Sequence, residues 1–187
     1  MRTVAVLTGA VALAAALSAC GSSNTSGTET ITAVVKGSAA ATILNSRNSN
    51  LAFPSLVFSG PVNTSISHFS LNGSNKATHT FVTPAGNLAV TRSVKSNGQS
   101  QPTVTGKSGK ACDFKFSAGT GTYVVDGSKS TGKFAGATGH GNYSISFVAE
   151  ADLMPGKTTC SDNNTGNVIA KGAEISFRAS GPLTIKS

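Results

Sequence analysis

From Asn142 the chain alternates. Tyr143, Ile145, Phe147 and Ala149 fall on one side, and Ser144, Ser146 and Glu150 on the other. A period of two marks a strand with one buried face. Residues 173–180 repeat the pattern, with Ile175, Phe177 and Ala179 opposing Glu174, Ser176 and Arg178. Further runs at 30–36, 51–59, 62–71, 77–83, 87–94, 111–117, 120–125 and 183–186 predict strands. Turn-forming residues separate them: Asn72-Gly73, Pro84-Ala85-Gly86, Asn97-Gly98, Asp126-Gly127, Pro155-Gly156 and Gly181-Pro182. Past the first twenty residues no convincing i, i+3, i+4, i+7 pattern appears, so no helix is predicted there. Many short strands in one domain predict an antiparallel barrel or sandwich.

One hairpin can be specified. A turn centred on Asn72 to Asn75 pairs residues whose numbers sum to 147, which sets His68 opposite His79 and Ile66 opposite Phe81. Two imidazoles on one face suit a shared metal ion or a pH-sensitive like-charge pair. The plainer alternative is two partly exposed rings that stack or hydrogen-bond.

Glycine is concentrated between Gly119 and Tyr143. Gly119-Thr-Gly121-Thr-Tyr123 returns as Gly139-His-Gly141-Asn-Tyr143, so two glycines precede each aromatic that opens an alternating run. Between the copies, Phe134 is placed to anchor in the core. Glycine inside a strand marks a bulge, a tight bend or crowding by a large neighbour. A strongly coiled small barrel needs such points. The expected fold is therefore all-β, a single antiparallel barrel of about eight strands, with a sandwich as the alternative.

The N-terminus changes the setting. Arg2 precedes an apolar run at 4–16, and Leu17-Ser18-Ala19-Cys20 follows. This order is that of a lipoprotein signal peptide, with residues 1–19 removed and the Cys20 thiol acylated. Residues 20–29 read as the lipidated cysteine and a flexible tether, and residues 30–187 as the barrel domain. The expected location is extracytoplasmic, held to a bacterial cell membrane by lipid on Cys20. Cys112 and Cys160 remain, and in an oxidising compartment they are expected to pair. A metal site on these cysteines lacks the Cys-x-x-Cys spacing.

The chain carries fifteen Lys and Arg against seven Asp and Glu, a formal +8. Cations stand singly along the sequence. Outside the cytoplasm, nucleic acid is not an expected partner; anionic head groups or acidic wall polymers suit the charge better. Gly127 to Lys133 approaches a P-loop, but Phe134 stands where a metal-binding hydroxyl belongs. Ser130-Thr-Gly-Lys133 matches Ser-x-x-Lys, yet the Lys-Thr-Gly partner motif is missing. No catalytic residue and no cofactor is assigned.

The stretch GTGTYVVDGSKSTGKFAGATGHGNYSISF, through Gly127, Gly132, Phe134, Gly136, Ala137 and Gly139, resembles the glycine-rich hairpin of the dirigent and allene-oxide-cyclase-like barrel proteins. The resemblance covers about thirty residues. It implies an eight-stranded antiparallel barrel with a central cavity, often trimeric, that binds or cyclises apolar small molecules. No catalytic residue of that family matches a position here, so none is carried over. The expected function is binding of a small apolar or amphipathic ligand at the cell envelope. Tyr123, Tyr143, Ile145, Phe147 and Phe177 are the inward candidates. The alternatives are a structural or interaction protein with a packed core and, third, a cyclase or isomerase.

Overall fold

The computed structural model describes residues 24–46, 51–71, 74–96, 103–108, 111–161 and 165–186. Its elements are β1 (Thr25–Lys36), α1 (Gly37–Ser46), β2 (Leu51–Ser59), β3 (Ser65–Leu71), β4 (Lys76–Thr83), β5 (Gly86–Ser96), β6 (Thr103–Ser108), β7 (Ala111–Val125), β8 (Thr138–Leu153) and β9 (Thr165–Ile185). One antiparallel sheet runs β3-β2-β1-β9-β8-β7-β5-β4, with β6 added to β7 off that path. It curls into a nearly closed barrel. The period of two decides what lies inside. Ile31, Ala33 and Val35 of β1, Leu88 and Val90 of β5, and Ile175, Phe177 and Ala179 of β9 share one buried core. Serines and threonines alternate with them on the outside, where Ser146 and Ser176 hydrogen-bond across β8 and β9 at 2.7 Å.

The repeated glycine motif has a packing cause. Gly121 pairs directly with Tyr143 across β7 and β8, and Tyr123 pairs with Gly141. Each tyrosine ring therefore lies over the glycine of the other strand. A methyl group at Gly121 would strike the Tyr143 ring and the Ser93 carbonyl; one at Gly141 would strike the Tyr123 ring and the Ser180 carbonyl. The connection from β7 to β8 is fixed locally. Asp126 accepts from Ser128 Oγ at 2.6 Å and pairs with Lys129 Nζ at 3.1 Å. A single 3-10 turn, Gly132–Phe134, then puts Phe134 into the core. Ser130 spends its hydroxyl here, donating to Asp126 O and accepting from the Ala89 N–H.

The two ends of the strand order, β3 and β4, are consecutive in the chain. Among the described residues no backbone ladder joins them. Rings close the seam instead: Phe69 lies 5.4 Å from Phe81 and 5.6 Å from His79, and Phe58 lies 5.2 Å from Phe81, centroid to centroid. The hairpin register expected from the sequence fails, for a local reason. His68 adopts a left-handed backbone, φ 59°, beside Pro54 of β2, and Ser67 and His68 are both exposed. The break moves Phe69 and Leu71 inward and leaves His68 outside. The β2–β3 register stays unbroken, and both strands change phase together at Pro54 and His68, which exchanges the two faces. The turn residues 72–73 lie outside the described residues, as do residues 97–98.

Three further expectations change. Residues 25–29 are strand, paired with 181–185, so the tether expected over 20–29 ends before Thr25. The runs at 111–117 and 120–125 are one strand with a bulge between Ser117 and Gly119, and 173–180 and 183–186 are likewise one element. A helix, α1, follows β1 where none was predicted. Gly37 leaves the strand at φ 65° and Ala40 and Ala41 are buried. Two buried positions in ten residues are too few to register as a helical period. Asn45 at its end clamps β9, with its Nδ2 donating to Val168 O at 2.9 Å and its Oδ1 accepting from Val168 N at 2.8 Å.

The expected disulfide is present. Cys112 and Cys160, 5.6 Å apart at Cα, tie β7 to the segment after β8, beside a small second cluster of Phe114 and Ala151.

Two stability changes follow. Gly141→Ala should cost about 1–3 kcal/mol, the usual scale for overpacking, read as a lower urea midpoint. Cys112→Ser with Cys160→Ser should cost about 4 kcal/mol by loop-closure entropy, and thiol titration of the unfolded native protein should find neither cysteine free.

Candidate functional site

The same alternation that buries Leu88 and Val90 carries Arg92 of β5 inward, where it is 6% exposed. Its guanidinium lies 5.6 Å from the Tyr143 ring centroid, and its Nη1 donates to the Tyr143 hydroxyl at 3.1 Å. Nη2 donates to the Ser74 carbonyl at 3.0 Å, beside the β3–β4 turn. Nε donates to His79 Nε2 at 3.5 Å, a long contact. His79 must then present an unprotonated Nε2 and carry its proton on Nδ1. Burial first, and the Arg92 charge second, hold His79 below the ordinary imidazole range.

Outside this cluster the seam forms a groove of about 350 Å3, walled by Ile66, Ser67 and Ser70 of β3 and Thr80 and Val82 of β4. Behind it a void of about 20 Å3 lies among Ile31, Arg92, Tyr123, Tyr143 and Phe177. Phe69, His79 and Phe81 line both spaces, so these three side chains are the partition between groove and interior. The void has room for about one water. Rings pack beside the void: Phe177 stacks 6.0 Å from Tyr143 and lies 5.9 Å from Phe69.

A second buried charge faces the interior from β1. Glu29, 2% exposed, keeps the parity of Ile31 and Ala33. Its Oε2 accepts from Val62 N at 2.8 Å, while its Oε1 is buried with no hydrogen-bond partner. Loss of hydration raises its pKa, against a smaller lowering by the Val62 and Ser59 amides. Burial, then the Glu29 charge, raises Tyr123 as well. The Glu29 charge therefore favours the neutral phenol of Tyr123.

All five inward candidates from the sequence are buried, and all five belong to one core. Tyr123, Tyr143 and Phe177 border the void; Ile145 and Phe147 pack in the same core without bordering it. His68 is exposed and His79 half-buried; they are not paired on a ladder, and both line the seam groove. Among the described residues no group of three or more His, Cys, Asp or Glu side chains converges. Cys20 lies outside the described residues. Arg92 and Glu29 were not singled out by sequence reasoning, although parity marks both: each continues an inward series, Leu88-Val90-Arg92 and Glu29-Ile31-Ala33. No protein-family model matches the chain, and comparison with curated proteins and with solved structures gives no significant match.

The Glu29 geometry sets a sign for pH. Its folded pKa is raised, so the folded state holds the proton more tightly than the unfolded chain does. Stability from this group is fully present below the unfolded value, near 4.5, and is lost as pH rises through the folded pKa. Glu29→Gln removes that loss. Urea midpoints across pH should show the variant gaining on the native protein as pH rises through this window. A gap between the two that does not vary with pH would contradict the assignment.

Proposed function

We propose that this protein is a lipid-anchored component of the bacterial cell envelope that binds a small apolar or amphipathic ligand at the β3–β4 seam. The anchoring half rests on Leu17-Ser18-Ala19-Cys20. The likeness of the glycine-rich hairpin to ligand-binding dirigent-type barrels supports the other half, and the seam carries it. Elsewhere in the strand order, opening the wall breaks a ladder of hydrogen bonds, each contributing about 0.5–1.5 kcal/mol. At the seam, opening separates aromatic pairs that contribute about 0.5–1.5 kcal/mol each beyond area burial. The groove there, about 350 Å3, falls within the usual size of small-molecule sites, roughly 300–1,000 Å3. Phe69, Phe81 and Ile66 give it apolar surface among Ser67, Ser70, Thr80 and His79, and Arg92 and Tyr143 are the polar groups behind it. A ligand enters by displacing Phe69 and Phe81, not by filling a ready cavity.

A scaffold or interaction role is the second reading, favoured by the small void. An outer trough of about 520 Å3, bordered by Lys95, Arg178, Asn142 and Ser144, suits contact with an anionic surface.

Two measurements test the proposal. Cys20→Ser should move the protein from the membrane pellet to the soluble fraction, and retention in the pellet would remove the anchor. With Cys20→Ser as background, a neutral fluorescent probe such as N-phenylnaphthylamine should bind. Ser67→Trp, which fills the exposed groove, should weaken binding about tenfold, or about 1.4 kcal/mol. Binding unchanged by Ser67→Trp would remove the seam as the site, and no binding at all would favour the scaffold reading.

A further inference from the structure

We infer that protonation of His79 opens the β3–β4 seam, and that the ligand taken up there carries an anionic head group. The inference rests on the seam being the binding site, and it adds both a regulator and a ligand class. In the closed form, His79 is a partition residue held by two contacts. Its ring packs against Phe69 at 5.6 Å, and its Nε2 faces Arg92 Nε at 3.5 Å. A proton placed on Nε2 removes the acceptor and sets a second positive charge against the guanidinium. Burial penalises that charge further. The imidazolium relieves both costs by turning out into the groove, which His79 already lines. That motion breaks the Phe69–His79 contact, at the junction where, among the described residues, no ladder holds the strands together.

The groups facing His79 are few. Arg92 approaches from β5, Tyr143 from β8, Tyr123 from β7, and Phe69 and Phe177 from β3 and β9; His68 borders only the groove. Among the described residues, no carboxylate lines the groove or the void. Glu29, which faces the same interior from β1, acts electrostatically on Tyr123 and does not border the void. Protonation therefore concentrates positive charge at the head of an apolar slot made by Phe69, Phe81 and Phe177. A single-chain amphiphile with an anionic head meets both features. Because the void behind the partition is only about 20 Å3, a ligand bound there needs the seam widened, and whatever disfavours the closed form favours uptake.

The test is calorimetric titration of the Cys20→Ser protein with decyl sulfate, whose head stays ionised throughout, and with neutral decyl glucoside, both below their micelle concentrations. Decyl sulfate should bind about tenfold more tightly at about pH 5.5 than at about pH 7.5. The neutral amphiphile should gain less. His79→Gln, which keeps an acceptor and never charges, should abolish the pH step, while His140→Gln, on the outer face, should keep it. Equal affinity at the two pH values, or a step that survives His79→Gln, overturns the gate. An equal gain for the neutral amphiphile overturns the anionic head group and leaves the gate standing. If neither amphiphile binds at either pH, the seam reading falls and the gate with it.

Discussion

Two tyrosine rings laid across two glycines hold the rest of this barrel in place. Tyr143 can lie flat only because Gly121 opposite it has no side chain, and Tyr123 only because of Gly141. A flat Tyr143 brings its hydroxyl to Arg92. Arg92, so held, reaches the Ser74 carbonyl and His79, and His79 packs against Phe69. The closure of the barrel thus depends on a pair of glycines on the side of the sheet opposite the seam. A small barrel has an interior just wide enough for side chains, and this one holds aromatic and aliphatic side chains with Arg92 and Glu29 among them.

The closure differs in kind from the rest of the wall. Among the described residues, seven strand junctions in the path are backbone ladders and the eighth, β3 to β4, is made by side chains. Ladders are directional and fail all at once, while ring contacts are short-range and can be exchanged for a ligand's own apolar surface. The same physical difference makes the seam the natural place for local opening. It also explains why an otherwise packed interior is compatible with binding.

Most of the fold was legible from alternation. The β2 run at 51–59 matches its strand end to end, and the inward faces of β8 and β9 are the ones the pattern marks. The all-β barrel and the Cys112–Cys160 bond follow from the same sequence reading. The candidate site was legible only in part. Tyr123, Tyr143 and Phe177 were marked by parity, whereas Arg92 and Glu29 share that parity but break the rule that inward residues are apolar. The seam was misread because a period of two assumes an unbroken strand. His68, in the left-handed region beside Pro54, shifts the phase by one and sends itself outward while His79 stays in.

The sequence by itself determined which residues face inward, because in a strand the side-chain direction follows from position alone. It also determined where glycine must recur, because a ring needs a neighbour with no side chain. What only the tertiary structure decided is how the sheet meets itself. Which side chains of β3 turn inward at the closing edge depends on His68 taking a positive φ, and the environment of Arg92, His79 and Glu29 depends on strands far apart in the chain. Those are long-range packing facts, and no local pattern encodes them.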